Sequence, residues 1–336
     1  MRRSKFLIAP LYAALFALLA GSAVAEPLKL RVGWVLVPAE ITPILFPDPA
    51  VARHLGKSYV IEPLRFQGSS LYTQALAAGE LDIAPFGYSS FALAVENAHL
   101  DDLRIILDED RDGFAGHFTT QYMVRKESPI HQVEDLKGKV LASPAVGSIS
   151  DMALRFILRR HNISDAKDVT FVEIGMPNMN AVLAEGKADL ITSVLPFYLD
   201  PTLQSTARTL FTGVDAIGPA EISLMTAREG FLREHRAAVV DFFEDYLRAL
   251  RWYNDPANRP AALKAIAEFT KLPPERFSSW VFTNQDYYRE PNGLVDTEAL
   301  QKNLDVQHEL GLVKNPIDAK RYVDMSLVEE AGKRLK

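Results

Sequence analysis

The chain has 336 residues, a formal net charge of −6 and no cysteine. The missing cysteines exclude disulfide bonds, zinc–thiolate sites, thiol nucleophiles and a lipidated N-terminal cysteine. The excess of acidic residues argues against a nucleic-acid partner, and the length is sufficient for two lobes with cores of their own.

The first 25 residues have the layout of a secretory signal peptide. Arg2, Arg3 and Lys5 precede an apolar run to Leu19, and an Ala-x-Ala cleavage site ends at Ala25. The apolar run is shorter than the ~20 residues that a membrane-spanning helix needs. Removing this segment takes the formal net charge from −6 to −9. We expect export by the general or the twin-arginine route, with no membrane insertion after cleavage.

The next hundred residues alternate strand patterns with helix patterns. Short apolar and β-branched runs predict strands, and apolar residues at helical spacing predict helices. The predicted strands are 28–37, 59–66, 81–86 and 103–107, and the predicted helices are 71–78 and 91–98. Serine pairs stand at both helix starts, where hydroxyls commonly cap the helix. The acidic, glycine-containing residues 108–116 predict a loop.

Residues 121–189 repeat the alternation and contain the loop that we expect to bind a ligand. A predicted strand at 140–142 is followed by Gly147, Ser148 and Ser150, and then by the amphipathic run 152–158. Backbone N–H groups and the positive end of a helix can hold an anion at the carboxyl edge of a strand. The pattern predicts a binding site without reactive side chains.

An internal echo at an offset of 107 residues indicates two similar units. The matched positions are Gly68, Leu76, Ala77, Gly79 and Asp82 in the first copy and Gly175, Leu183, Ala184, Gly186 and Asp189 in the second. Common descent and coincidence between two generic β-α-β units both explain the echo. In either case, two parallel α/β units that present helix starts at their strand ends predict two lobes with a cleft between them.

We expect the chain to pass between the lobes twice, through short strands at 117–125 and 221–227 that can bend as a hinge. Lobe 1 would then comprise residues 26–121 and 224–336, and lobe 2 residues 122–223. Helical patterns fill the C-terminal part, at 231–253, 260–270, 274–280, 297–310 and 317–335. These helices are expected to cover the first lobe without a function of their own.

Motifs for catalysis and metal binding are missing. The seven histidines include no i, i+4 pair and no HExxH motif, so no metal site is predicted. The chain also lacks GxSxG, Walker A and GxGxxG motifs, and serines at helix starts are more often caps than nucleophiles. We predict that the protein is not an enzyme and carries no cofactor.

Several segments resemble, in order and spacing, the periplasmic substrate-binding proteins of the nitrate/taurine/sulfonate group of ABC importers. They are LKLRVGWVLVP, ALAAGELDIAPFG, YMVRKESPI, VEDLKGKVLA, VGSISDMAL, VLAEGKADLITSV and EISLMTAREGFL. The resemblance implies an α/β periplasmic binding protein fold of type II, in which each lobe is a mainly parallel sheet flanked by helices and two crossover strands join the lobes. It also implies a periplasmic location and partners that are ABC permease and ATPase subunits. We expect a monomer.

The candidate ligand contacts lie on loops after strands and at the crossings. Their aromatic, hydroxyl or backbone groups could contact a ligand, although Trp34 could equally be core and the serines could equally be caps. The candidates are Trp34, Gln67, Ser69, Ser70, Tyr88, Ser89, His117, Thr119, Gly147, Ser148, Ser150, Met176, Phe197 and Glu221.

The sequence departs from the related binding proteins at one informative position. Leu195 stands where many of them have the Glu of a Glu-Pro pair, so a ligand amine has no predicted carboxylate partner there. Arg111 is the arginine nearest to a cleft loop. Backbone amides, hydroxyls and His117 would then hold an anion, and Tyr88, Phe197 and Tyr198 favour a planar organic acid over nitrate.

The sequence therefore predicts the solute-binding component of an ABC importer that captures a small organic anion of the sulfonate or aromatic carboxylate type. One alternative is a binder of a thiamine-pyrimidine precursor or a related heterocycle. A second is a pyrimidine synthase of the kind found in fungal thiamine biosynthesis, but that enzyme depends on a cysteine-rich motif, which this chain lacks.

Overall fold

The computed structural model describes residues 26–66 and 68–335, and these residues build two separate five-stranded sheets. The predicted signal peptide, 1–25, lies outside the described residues. The strands of the first sheet are β1 (Leu28–Trp34), β2 (Tyr59–Arg65), β3 (Ile83–Phe86), β4 (Leu103–Asp112) and β10 (Ala220–Arg228). Their order is β2-β1-β3-β10-β4, and β10 runs antiparallel to both of its neighbours.

The second sheet has the same plan. Its strands are β5 (Gln121–Arg125), β6 (Val140–Ser143), β7 (Thr170–Glu173), β8 (Leu190–Ser193) and β9 (Ala207–Thr212). Their order is β7-β6-β8-β5-β9, and β5 runs antiparallel to β8 and β9. Each sheet is therefore mainly parallel, as predicted, and also contains one antiparallel strand; the fold is a two-lobed α/β fold.

Helices cover both faces of each sheet. They are α1 (Tyr72–Ala77), α2 (Tyr88–Ala98), α3 (Ile149–Arg160), α4 (Met179–Ala184), α5 (Pro201–Thr206), α6 (Gly213–Ile217), α7 (Glu229–Glu234), α8 (Arg236–Asn254), α9 (Arg259–Thr270), α10 (Thr297–Glu309), α11 (Ala319–Tyr322) and α12 (Ser326–Arg334). Buried residues of α8 and α12 pack on one face of the first sheet, and those of α2 and α10 pack on the other. In the second sheet α3 and α4 take opposite faces.

The internal echo corresponds to the same local structure in both sheets. Gly79 and Gly186 have φ of +68° and +70°, and each follows a short helix. Asp82 accepts a hydrogen bond from the Arg31 N–H at 2.8 Å, and Asp189 accepts one from the Val140 N–H at 3.0 Å. In each unit the aspartate therefore ties the start of the strand after the helix to its neighbour in the sheet, which is β1 for β3 and β6 for β8.

The crossings lie earlier in the chain than predicted. The chain leaves the first sheet after Asp112 and joins the second at Gln121, and it returns between Thr212 and Ala220. Residues 221–227 are part of β10, which pairs along its length with β4, so they are not a linking strand. The linking segments are 113–120, which contains no strand, and 213–219, which contains α6. The lobe limits at 121/122 and 223/224 stay a prediction.

Candidate functional site

A cavity of about 1030 Å³ lies between the two sheets, and we call it the interlobe cleft. Its first wall comes from the loop after β1, the end of β2 and the segment 269–279. Its second wall comes from α4 and the residues after β8. Loops at the carboxyl ends of parallel strands are the usual place for ligands in α/β folds. A cavity of this size falls at the upper end of the range for small-molecule sites.

Apolar side chains dominate both walls. On the first wall they are Trp34, Val35, Leu36, Val37, Phe269, Leu272 and Phe277, and on the second wall they are Pro177, Ala181, Pro196, Phe197, Leu199 and Pro201. Six large apolar side chains of the described residues are exposed, and Leu36, Phe269 and Leu272 of the cleft account for three of them. Exposed apolar groups gathered in one concave surface indicate a binding site.

Two arginines, Arg65 and Arg276, line the first wall. The guanidinium of Arg65 lies 5.4 Å from the centre of the Trp34 ring, a cation–π distance. Trp34 in turn contacts Phe269 edge to face, with ring centres 5.3 Å apart. Neither guanidinium forms a hydrogen bond or an ion pair with any residue that the structure describes. Both are therefore available to an acidic ligand.

The polar groups of the second wall are largely engaged within the protein. The Asn180 side chain donates to the Phe197 carbonyl at 3.1 Å. Asp200 caps α5 by accepting from the N–H groups of Thr202 and Leu203 at 2.9 and 3.0 Å. This wall offers an apolar surface with little free charge.

A buried carboxylate supports the first wall from behind. Glu40 accepts hydrogen bonds from the N–H groups of Val35 and Leu36 at 2.8 and 2.7 Å. Burial raises the pKa of Glu40 to about 7, and the two N–H donors oppose the rise. Glu40 thus fixes the backbone of the loop that carries Val35 and Leu36 into the cleft.

Two of the predicted site residues, Trp34 and Phe197, line the interlobe cleft together, one from each wall. Met176 precedes Pro177 of the second wall, but its side chain packs half-buried against the core around Met179 and Leu183. The prediction of an aromatic wall from Trp34 is therefore consistent with the geometry. Contact with a ligand stays a prediction for both aromatic residues.

The start of α3 is already occupied by a carboxylate of its own chain. The Gly147 N–H donates to Asp151 at 2.9 Å, and the Ser148 hydroxyl accepts from the Asp151 N–H at 3.3 Å. Asp151 is fully buried and also pairs with Arg155 at 2.8 Å. Donors that were predicted to bind an external anion are thus used inside the protein. Gly147, Ser148 and Ser150 do not line the interlobe cleft.

The other helix starts are not open to the cleft either. Tyr88 and Ser89 are buried in α2, and the Ser89 carbonyl accepts from Gln307 at 2.9 Å. A Cβ atom on Gly87 would come within 2.9 Å of the Ile149 side chain, so the starts of α2 and α3 abut. Ser69 begins a short 3-10 helix outside the cleft lining. Gln67 and the side chain of Ser70 lie outside the described residues.

The predicted crossing residues take structural positions. Thr119 accepts from the Val214 N–H at 3.2 Å and so ties the two linking segments together. Glu221 is fully buried, contrary to its predicted place at the cleft, because it pairs with Arg111 at 3.0 Å. His117 lines a second cavity of about 350 Å³, and its ring contacts Tyr288 edge to face at 5.2 Å.

The acidic segment predicted as a loop is instead the buried end of β4. Asp108, Glu109, Asp110, Arg111 and Asp112 are all less than a tenth exposed. Burial raises the pKa of Asp108 to about 7 and that of Glu109 to about 8, and it raises that of Asp110 well above its ordinary value. The strand continues through these residues because β10 pairs with them as far as Asp112.

Hydrogen bonds hold this acidic end in place. Arg111 contacts Asp108 at 2.6 Å as well as Glu221. Glu109 accepts from the Ser223 and Tyr246 hydroxyls at 2.8 and 3.1 Å. Asp112 accepts from the N–H of Thr120 at 2.9 Å and so clamps the first linking segment. We call the set Asp108–Asp112 and Glu221 the buried acidic network.

One cluster of possible metal ligands occurs among the described residues, and its charges disfavour a cation. The ligand atoms of His54, Asp241 and Glu244 lie within 4.8 Å of one another. Arg334 contacts Asp241 at 2.8 Å and Arg248 contacts Glu244 at 2.5 Å, so two guanidinium groups already neutralise the carboxylates. The arrangement is that of an ion-pair network.

No helix within residues 26–66 and 68–335 is both long and apolar enough to cross a bilayer.

The main residues that sequence reasoning missed are Arg65, Arg276 and Phe269. Arg65 is the last residue of β2. Its place beside Trp34 depends on the register in which β1 and β2 pair, which the sequence does not show. Phe269 and Arg276 belong to the C-terminal part, which was expected to have no role, but they close the first wall. Phe269 and Leu272, large apolar residues around the end of a predicted helix, were the available signal.

The two-lobed α/β fold with a ligand-sized cavity between the lobes is that of periplasmic solute-binding proteins. The chain belongs to the NMT1-like family, whose model matches residues 24–267. No sequence among the curated proteins matches it.

Solved structures share the fold at low sequence identity. The periplasmic aliphatic sulphonate binding protein SsuA from Escherichia coli is 20% identical, with a TM-score of 0.70 over 90% of this chain and 100% of that one. The periplasmic nitrate-binding protein NrtA from Synechocystis PCC 6803 is 14% identical, with a TM-score of 0.68 over 93% and 90%. The desulfurization enzyme DszB is 16% identical, with a TM-score of 0.65 over 92% and 100%. The fold thus serves both binding proteins and an enzyme.

Proposed function

We propose that this protein is the solute-binding component of an ABC importer, and that it captures a small organic anion of the sulfonate or aromatic carboxylate type. The interlobe cleft is the observation that carries the proposal. Its walls come from two different lobes and both are apolar. One of them carries two guanidinium groups that form no ion pair within the described part of the chain. A ligand that contacts both walls stabilises the closed arrangement of the lobes, and that difference in affinity drives closure.

The expected order of events follows from this geometry. The solute enters the cleft, the lobes close around the linking segments 113–120 and 213–219, and the closed protein delivers the solute to the permease and ATPase subunits. Family membership and the fold shared with SsuA and NrtA support this role. Export to the periplasm rests on the signal-peptide pattern of residues 1–25.

The test is a thermal-shift screen of the purified protein against sulfonates, aromatic carboxylates, nitrate, bicarbonate and pyrimidines. A ligand that binds only the folded state raises the unfolding midpoint by mass action. We expect a shift with the first two classes. A shift with pyrimidines alone would support the heterocycle-binding alternative. Turnover of a compound in place of a shift would support an enzyme.

A further inference from the structure

The two walls of the interlobe cleft differ in charge. Arg65 and Arg276 both lie on the first wall, together with the single acid Glu275. The second wall carries one charged residue, Asp200, whose carboxylate is committed to the N-cap of α5. Recognition of an acid group therefore falls to the first wall.

Arg65 is the better placed of the two arginines. Arg276 follows Glu275 directly in one 3-10 turn, so the neighbouring carboxylate offsets part of its charge. Arg65 lies beside Trp34 in the β1–β2 register, with its guanidinium over the indole. Contact with the ring face holds the guanidinium in position and leaves its N–H edge free for a carboxylate or sulfonate.

The second wall is suited to the rest of the ligand. Pro177, Ala181, Pro196 and Phe197 present a stiff apolar surface opposite Trp34. A small inorganic anion could satisfy Arg65, but it would leave this surface exposed to water. Burial of apolar area adds roughly 25 cal/mol for each Å². The cleft thus favours an acid with an apolar or aromatic body.

We propose that Arg65, held against Trp34, is the residue that selects an acidic ligand, and that Phe197 and its neighbours select the size of the ligand body. The inference rests on the proposed function and assigns its two kinds of selectivity to different lobes. The ligand class is a monoanionic sulfonate or carboxylate with a hydrophobic body.

A pair of probes that differ only in charge tests the assignment. Naphthalene-2-sulfonate carries the acid group, and naphthalene-2-sulfonamide is a near-isosteric uncharged compound. Binding is measured by calorimetry and by the fluorescence of Trp34, the tryptophan that lines the cleft. We expect the wild-type protein to bind the sulfonate at least tenfold more tightly than the sulfonamide, and to bind nitrate more weakly than either.

Three variants then separate charge from size. R65Q should weaken sulfonate binding roughly 10- to 100-fold and leave sulfonamide binding unchanged, because it removes a charge-assisted contact. F197A should weaken both probes by similar factors. R53Q, which changes an exposed arginine outside the cleft, is the matched control and should change neither.

The outcomes distinguish the inference from the proposed function. Sulfonate binding by R65Q at wild-type affinity would overturn the role of Arg65 and leave the solute-binding function intact. Binding of nitrate or a pyrimidine without either naphthalene probe would overturn the ligand class and keep solute binding. If R65Q loses its folded circular dichroism spectrum, R65K provides the test, because it keeps the charge but not the planar pair of donors. We expect R65K to discriminate between the probes less than the wild-type protein does.

Discussion

Charged side chains have opposite environments in the interlobe cleft and in the buried acidic network. In the cleft, Arg65 and Arg276 lie on an apolar, partly exposed wall, and neither has an ion-pair or hydrogen-bond partner among the residues that the structure describes. At the end of β4, Arg111 is buried and pairs with Asp108 and Glu221. Arginines of the first kind are available to a ligand, whereas the second kind is part of the fold. Burial and pairing decide the role of a charge, and neither can be read from residue type.

The largest expected difference between the two regions is in stability. Arg111→Met should lower the free energy of unfolding by about 3–5 kcal/mol, because it leaves Asp108 and Glu221 buried without a counterion. Arg65→Met should change it by at most about 1 kcal/mol, since this exposed side chain contacts the Trp34 ring but has no ion pair or hydrogen bond among the described residues. Urea unfolding at pH 8 measures both. Equal losses would erase the distinction between the two regions.

The buried acidic network should also make stability depend on pH. Burial raises the pKa of Glu109 to about 8, whereas an unfolded chain releases that proton near the ordinary value of about 4.3. The folded state therefore binds more protons between these values, and stability falls as the pH rises. For Glu109 alone the loss from pH 5 to pH 8 should be about 3.5 kcal/mol.

Replacing Glu109 by Gln should flatten this dependence, because the group no longer titrates. Glu40, with a pKa of about 7, contributes in the same direction. Thermal unfolding of the wild-type and Glu109→Gln proteins at a series of pH values measures how steeply the unfolding midpoint changes with pH. A midpoint that rises between pH 5 and pH 8 would contradict the account.

The close approach of the linking segments predicts a smaller effect. Gly113 has φ of +71°, and an added Cβ would lie 2.0 Å from the side chain of Val214 in the other segment. Gly113→Ala should therefore destabilise the protein by about 2–4 kcal/mol, from the strained backbone and the overpacking together.

Gly116 is a matched control in the same segment. Its φ is +76°, but an added Cβ would meet no atom within 4 Å. Gly116→Ala should lower the free energy of unfolding by only about 1 kcal/mol, which is the cost of placing alanine at a positive φ. Chemical denaturation of the two variants gives the difference, and similar losses would mean that the linking segments can separate without cost.

The sequence predicted the fold better than it predicted the site. Local periodicity identified most strands, and the echo around Asp82 and Asp189 identified the two sheets, because those patterns depend on near neighbours. The acidic end of β4 was predicted as a loop, because its charged side chains have partners that are distant in sequence: Ser223 and Tyr246 for Glu109, and Glu221 for Arg111.

The candidate site was predicted only in part for the same reason. Trp34 is the last residue of β1 and Phe197 lies in the segment after β8, so the expectation that ligands bind at strand ends identified both. Ser148 satisfied that rule equally well, but Asp151 fills its helix start. Phe269 and Arg276 come to the cleft from a distant part of the chain. The spacing of residues in the sequence does not indicate which distant segments will meet.

Calorimetric titration of two tryptophan variants with naphthalene-2-sulfonate tests the location of the site most directly. Ala181 lies exposed on the second wall of the interlobe cleft, and Val146, which is 71% exposed, lies beside the predicted helix-start loop and outside the cleft. We expect Ala181→Trp to abolish binding and Val146→Trp to bind like the wild-type protein. Full affinity in Ala181→Trp, with binding lost in Val146→Trp, would move the site to the start of α3 and contradict the account.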